Sequence, residues 1–452
     1  MKGVTVGLLS LGCARNLVDS EVILGYLKTA GFTILESVEK VDVAVVNTCG
    51  FIREAEEESV DIILKLGQLK KQGEVKKIIV YGCLAQRYKS RLKEAFPDID
   101  AFIGTGNPDK VVTVIKQLWL PAAQVVCSFS RPRFLYSHLN SRLKLTPGHF
   151  TYIKICEGCN NCCSYCIIPR LKGRFRSRTM ASILKETKTL LDKEKISEIN
   201  LIGQDTTNYG RDIYGQTKLT ELLRRICGQL KNRPVWLRLL YTHPAHVSPQ
   251  LIEAVKEESA ICKYIDLPIQ HINDTILKRM NRKVSRGQII SLITALRREI
   301  PGLAIRTTLL VGFPGETDKQ FGELLDFVED TKFERLGIFK YSREERTQAF
   351  GFSGQIPEKV KQARYQAALS LQQEISRRIN QRFLGKTLVV LIDEQDQKEK
   401  NIFLGRTEFD APEVDGCVYV RINPGSKHCL SPGQFARVKI TDTLEYDLVA
   451  EV

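Results

Sequence analysis

Five cysteines fall within the eleven residues CEGCNNCCSYC, and three of them, Cys159, Cys163 and Cys166, have the spacing CxxxCxxC directly after an apolar run. Thiolates this close together can bind three irons of a [4Fe-4S] cube and leave the fourth iron open to an outside ligand. A zinc site is the other reading, but zinc commonly takes two CxxC pairs or a Cys/His mixture at longer separation. Cys156 and Cys162 are given no ligand role, because only the 159, 163, 166 spacing matches a known pattern.

A second set is dispersed. Cys13, Cys49 and Cys83, in SLGCARN, NTCGF and YGCLAQR, each follow a short apolar run. If those runs are neighbouring parallel strands, the three turns lie at one sheet edge and residues distant in sequence converge there. Gly12, Gly50 and Gly82 flank them and would let backbone approach a bulky cluster. Coincidence is the bland reading, and the shared topological position favours a metal site. Four further segments sit at or just beyond strand ends: IGQD (Ile202 to Asp205), YIDLPIQH (Tyr264 to His271), RTTLLVGFPGE (Arg306 to Glu316) and FKYSREE (Phe339 to Glu345). They supply Gly203, Gln204, Asp205, Gln270, Arg306 and Gly312 as candidate cofactor contacts, against the alternative of structural turns. RLKGRFRSR, Arg170 to Arg178, sets a basic residue at every second position, either a solvated strand face or a contact for an acidic partner.

These residues need elements to hold them. VTVGLLSL, VDVAVVN and KIIVYG read as buried parallel strands, separated by helical segments such as SEVILGYLKTAG, with Ser20 as its cap and Gly31 as its end, and REAEEESVDIILKLGQLKKQG. This predicts a doubly wound α/β domain over residues 1–120, followed by an irregular basic linker over 121–147. YIKIC, EINLIG, VWLRLL, KYIDLPI, AIRTTLLVG and RLGIFKY alternate with helical patterns over 148–382 and predict a complete or partial α/β barrel. After a charged helix from Glu358 to Arg382, the runs TLVVLID, CVYVRI, FARVKIT and YDLVAEV predict a small β-barrel over 386–452.

At 452 residues, with 43% hydrophobic and 26% charged residues, the chain is a multidomain globular protein and not a disordered or fibrous one. No apolar run approaches the roughly 20 residues that span a bilayer. The opening MKGVTVGLLSLGC has one basic residue and Leu11 where an exported lipoprotein leader would want a small residue, so it reads as a strand and the protein is expected in the cytoplasm. Thirteen cysteines there imply metal ligation before disulfides. Cys127, Cys227, Cys262 and Cys417, alone among apolar residues, read as buried packing thiols.

CxxxCxxC with Tyr165 before its last cysteine resembles the signature of the radical S-adenosylmethionine superfamily. Together with the first trio, SLGCARNLVDSE, VVNTCGFI, KYIDLPIQHI, IRTTLLVGFPGET, RLGIFKYSREE, LGRTEFDAPEVDG and the ending YDLVAEV resemble the methylthiotransferase family from end to end, in its RimO type. The resemblance implies a flavodoxin-like N-terminal domain, a partial TIM-like radical barrel and a C-terminal OB-like TRAM barrel. It also implies two [4Fe-4S] clusters: an auxiliary one on Cys13, Cys49 and Cys83, and a radical-generating one on Cys159, Cys163 and Cys166 that binds S-adenosylmethionine, with Tyr165 beside the adenine. The implied reaction methylates sulfur on the auxiliary cluster with one S-adenosylmethionine. A second is cleaved to a 5'-deoxyadenosyl radical, which takes hydrogen from the β-carbon of an aspartate in a small-subunit ribosomal protein, S-twelve, where methylthio is then placed. Implied partners are that basic protein, in the setting of the small ribosomal subunit, and an electron donor, with no membrane. Arg346 departs from the family pattern, which usually has Gly there. A tRNA adenosine methylthiotransferase sharing all six ligands and a non-catalytic zinc and RNA-binding protein are the competing readings.

From Lys386 to Val452 twelve Asp and Glu stand against eight Lys and Arg, a net of −4, so the remainder carries +19 where the whole chain carries +15. Phosphate binding needs a basic surface. The acidic tail is thus expected to favour a basic protein over RNA.

Overall fold

A computed structural model describes residues 3–120, 124–423 and 429–452. The first two residues of the expected N-terminal domain, the first three of the expected linker and a short stretch of the expected C-terminal barrel lie outside the described residues. The chain divides into two compact units.

The first unit comprises Met1–Leu145, Lys154–Cys162 and Cys166–Glu186. In chain order it begins with β1 (Thr5–Ser10), α1 (Ala14–Thr29), β2 (Thr33–Leu35), β3 (Val41–Thr48), α2 (Arg53–Lys71), β4 (Val75–Gly82), α3 (Cys83–Tyr88), β5 (Ala101–Ile103) and β6 (Val126–Ser128). The strands form a parallel sheet in the order β2-β1-β3-β4-β5-β6, the flavodoxin-like winding with one added edge strand. Alternation along β3 explains why both faces are covered. Val43 and Val45 pack with Ile23 and Leu27 of α1, while Ala44 and Val46 pack with Ile63 and Leu66 of α2. Two expectations change here. β6 lies in the segment read as irregular linker, and α1 begins at Ala14 with Cys13 as its cap residue, so Ser20 is a buried mid-helix residue bonded to Ser10 and Asn47.

The basic run of this unit is neither a solvated face nor a free anion contact throughout. Lys172 is buried with its Nζ 2.7 Å from Asp19, and buried Arg178 donates to Glu186 at 2.6 Å while lying 4.1 Å over the Tyr136 ring. Arg170 and Arg174 alone of the five are exposed.

The chain continues through β7 (Phe150–Lys154), then β8 (Cys156–Glu157) antiparallel to β9 (Arg176–Ser177). The second unit, Thr146–Ile153, Cys163–Tyr165 and Thr187–Val452, contains β10 (Glu198–Ile202), β11 (Trp236–Leu239), β12 (Tyr264–Asp266), β13 (Ala304–Val311) and β14 (Arg335–Lys340). With β7 these form two three-stranded sheets, β11-β10-β7 and β12-β13-β14, joined through the parallel bridge Leu237 to Ile261. That is an open, partial barrel, and its six strands are the six apolar runs expected. Helix Glu358–Asn380 leads to a closed barrel of β15 (Thr387–Gln395), β16 (Ile402–Thr407), β17 (Val418–Arg421), β18 (Phe435–Thr443) and β19 (Leu448–Glu451). Its core is Val390, Ile392, Phe403, Val418, Val420, Val438, Ile440 and Ala450. β16 escapes a reading by hydrophobicity because IFLGRT contains Gly405, where a Cβ would lie 2.6 Å from the Leu391 carbonyl, and buried Arg406. Among the described residues no helix is long and apolar enough to cross a membrane.

The acidic loop between β16 and β17 shows where part of the tail's negative charge is used. Asp415 accepts from Arg306 at 2.6 Å and from Tyr264 at 2.8 Å, Asp410 from Arg335 at 2.8 Å, and Glu413 from Tyr152 at 2.9 Å. Glu408 receives the Lys263 amide at 3.0 Å. Asp410 and Asp415 are therefore ion-paired inside the unit and offer no free negative charge to a basic partner, whereas Glu413 stays exposed. The packing-thiol expectation is also divided: Cys227 and Cys262 are buried, Cys417 is half-buried and Cys127 is exposed.

Candidate active site

In the first unit the turns after β1, β3 and β4 bring Cys13, Cys49 and Cys83 to one corner, where the strand order reverses between β1 and β3. Such a switch point opens a crevice at the carboxyl ends of the strands. Gly12, at φ +85°, lies so close to Cys49 that an added Cβ would meet its Sγ at 3.1 Å, and Gly82, at φ +110°, would put one 2.6 Å from the Thr48 carbonyl. Side chains are excluded there, which leaves the three sulfurs as the prominent groups of the corner.

Asn16 ties the corner together, and the sequence reading missed it. Its amide donates to the Leu11 and Thr48 carbonyls, both at 3.2 Å, and its Oδ1 lies 3.8 Å from the Cys83 Sγ. Asn47 returns a bond to the Asn16 carbonyl at 2.9 Å. Three turns far apart in sequence thus share one buried amide. The signal was its place three residues after Cys13, inside the first turn of α1. Asn16→Ala should strand two buried carbonyls, cost about 1–3 kcal/mol in denaturant unfolding, and lower the iron bound in reconstitution.

The thiols are not alike. Burial alone would raise Cys13, but the charge and hydrogen bond of Arg15, 3.5 Å from its sulfur, hold it below the ordinary thiol range. Burial pushes Cys83 up to about 12, with Lys172 opposing and the other two cysteines adding. Burial, then the charge of Cys13, raises Cys49. A coordinated metal deprotonates even a reluctant thiol. Among the described residues no three His, Cys, Asp or Glu side chains are gathered around one metal ion. An iron–sulfur cube asks for a wider ring than a single ion does, because each thiolate binds a different iron.

Cys159 and Cys166 fall in the first unit and Cys163 in the second. In the first, the Cys159 amide donates to Gly173 O at 3.2 Å and its sulfur accepts from the Asn161 amide at 3.4 Å. Cys156 is buried in the β8–β9 ribbon, whereas Cys162 is exposed in left-handed backbone at φ 53°. In the second unit Ser164 is pinned by three bonds, to Met280 O at 3.0 Å, to Arg279 O at 2.8 Å and from the Ala349 amide at 2.9 Å. Tyr165 packs edge-on to Phe313 at 6.5 Å, beside Ile276, Met280 and Leu310. Arg282, also unforeseen, directs Nη1 at the Cys163 sulfur at 3.7 Å.

The remaining candidates separate by strand end. Gly203, Gln204 and Asp205 follow β10. Burial would raise the Asp205 carboxyl, but the hydrogen bond and charge of His246, 2.9 Å away, with His243 and Thr207, hold it well below the usual range. His243 is kept neutral, pushed down to about 2 by burial and by Arg282. Gln270 adopts φ 73° and extends β12 by bridging to Leu309. Gly312 at φ +71° gives its amide to buried Glu316, which also pairs with Arg364 at 3.1 Å, so the GFPGE segment is a tight bend held by its own carboxylate. Arg306 is the third residue of β13, near the beginning of the strand and not its end, and its guanidinium pairs with Asp415. Arg346 takes left-handed backbone, φ 68°, the conformation that a glycine adopts without strain.

Comparison with known proteins extends this picture. Residues 5–104 match the uncharacterized protein family UPF0004, residues 153–328 the radical SAM superfamily and residues 384–452 the TRAM domain. A ribosomal protein uS12 methylthiotransferase RimO from Desulforamulus reducens is 46% identical over 448 residues, covering 99% of each chain. The protein of that name from Clostridioides difficile is 43% identical, covering 99% of this chain and 98% of its own. Among solved structures, the radical S-adenosylmethionine methyltransferase TsrM from Kitasatospora setae superposes with a TM-score of 0.55 at 16% identity over 75% of each chain. The cobalamin-dependent radical enzyme OxsB does so with 0.51 at 13%, over 82% of this chain and 56% of its own. At such identities the two structures bear on fold alone, but the full-length relatives bear on family: the chain belongs to the RimO family of radical S-adenosylmethionine methylthiotransferases.

Proposed function

We propose that this enzyme inserts a methylthio group at the β-carbon of an aspartate in ribosomal protein uS12, using S-adenosylmethionine and two [4Fe-4S] clusters. Cys13, Cys49 and Cys83 would hold one cluster and Cys159, Cys163 and Cys166 the other. The observation that carries the two-cluster reading is the gathering of the three turn cysteines at the switch point, behind glycines that admit no side chain. The target is supported by full-length similarity to proteins named for uS12.

An aspartate β-carbon carries no acidic proton, so a general base alone would not open it. When bound, the clusters and S-adenosylmethionine supply the radical and the sulfur for that step. The chain's own residues do the holding. Tyr165, fixed by Phe313, offers an aromatic edge to an adenine, and the Asp205–His246 pair is a fixed acceptor at the carboxyl end of β10. A low-potential electron donor is required, and uS12 is presented either free or within the small subunit.

The test is anaerobic reconstitution with reductant and S-adenosylmethionine, followed by mass analysis of a uS12 peptide and of tRNA nucleosides. A methylthio increment on the peptide is expected. An increment on tRNA and none on the peptide would overturn the target.

A further inference from the structure

We propose that Arg282 sets the redox character of the radical-generating cluster through the sulfur of Cys163. The proposal rests on reading Cys163 as a cluster ligand. Arg282 is 5% exposed, and its guanidinium is placed by two contacts: Nη1 lies 3.7 Å from the Cys163 sulfur and Nη2 donates to the Pro268 carbonyl. Its Nε is buried with no hydrogen-bond partner, so the group is oriented by the sulfur and the carbonyl and not by a carboxylate. No acidic side chain pairs with it in a salt bridge among the described residues, in contrast to the buried arginines Arg238, Arg335 and Arg406, which do have one.

The backbone fixes where Arg282 starts. Helix Asp274–Arg279 closes with Asn281 in left-handed backbone, φ 55°, its amide bonded to Lys278 O and the Arg282 amide to Leu277 O, both at 3.0 Å, the usual cap of a helix C-terminus. Lys283 beyond it is also left-handed, φ 53°.

Reduction places one electron on the cluster and moves no proton, so the reduced form carries one more negative charge. A fixed cation and hydrogen-bond donor at a ligand sulfur stabilises that form and raises the midpoint potential. The electron comes from a low-potential one-electron donor, dithionite in the test. Arg282 is on this reading a positioning residue, acting through Cys163 on the metal.

The experiment uses the full chain with Cys13, Cys49 and Cys83 replaced by Ala, so that only the second cluster loads. Arg282→Met and Arg282→Gln are titrated potentiometrically, with the reduced cluster followed by electron paramagnetic resonance, beside the same background with Arg282 and with Arg282→Lys. Both neutral variants should shift the midpoint to more negative potential at unchanged iron content, and Arg282→Lys should recover part of the shift. An unchanged midpoint in a loaded neutral variant overturns the proposal. So does failure of both to load, which would make Arg282 a scaffold residue only. Cys163→Ala in that background separates the two levels: loss of its iron supports the ligand reading whatever Arg282 does, and retention of full iron overturns that reading and the proposal with it.

Discussion

Cys163→Ala in the otherwise intact chain leaves a folded protein with about four irons in place of about eight and no reductive cleavage of S-adenosylmethionine. Cys49→Ala also falls to about four, yet it keeps that cleavage and loses only methylthio insertion. The contrast follows from where the residues sit. Cys163 belongs to the segment that continues into Ser164 and Tyr165, pinned to Met280, Arg279 and Phe313, whereas Cys49 lies at the sheet corner beneath Gly12. Iron analysis, deoxyadenosine release and peptide mass analysis read the three outcomes separately. If Cys49→Ala also abolished cleavage, the division of labour between the trios would be wrong.

Glu198→Ala should destabilise the second unit by about 3–5 kcal/mol, the usual cost of removing one partner from a buried ion pair. Glu198 is fully buried at the start of β10, between Arg238 at 2.7 Å and Arg406 of β16 at 2.7 Å. Arg406 also holds Asp393 of β15 at 2.8 Å, and Asp393 meets His149 at 2.7 Å. Without the carboxylate, two guanidiniums face each other in a dry site. Trp236, edge-on to Phe435 at 4.8 Å, reports the unfolding of this unit by fluorescence, with Trp119→Phe removing the signal from the other unit. The charge also gives a pH signature. Burial raises the Glu198 carboxyl, but Arg406 and Arg238 outweigh it and the net shift is downward. Its contribution is therefore complete above the unfolded carboxyl value of about 4.3 and is lost as pH falls through the lower folded value. The stability gap between the native protein and Glu198→Gln should close on acidification, and a gap independent of pH would refute the ionic account.

What could be read from sequence was local. CxxxCxxC is legible because ligand spacing along a few residues is itself the chemical signal, and the three turn cysteines were legible because each comes at or just beyond the end of a strand. The six strands of the open barrel were equally plain, since buried parallel strands are short apolar runs with little else in them. Where polar residues stood in for apolar ones, the reading failed: β16 carries Gly405 and Arg406, and α1 is capped at Cys13 instead of Ser20, without a side-chain hydrogen bond to mark the cap.

The tertiary structure decided how charge is used. Counting acids in the last 67 residues predicted a surface for a basic partner, but a count does not say which way a carboxylate faces, and Asp410 and Asp415 face arginines brought by β14 and β13. Arg306, near the beginning of β13, likewise sets its guanidinium against Asp415. Asn16 and Arg282 gained roles that no spacing announces, since their partners lie up to 119 residues away in the chain. The sequence by itself thus marked which cysteines are candidates to bind iron and which strands carry them. Only the folded chain decided which charges are left over, because neutralising a buried charge depends on partners that proximity in space supplies and proximity in sequence does not.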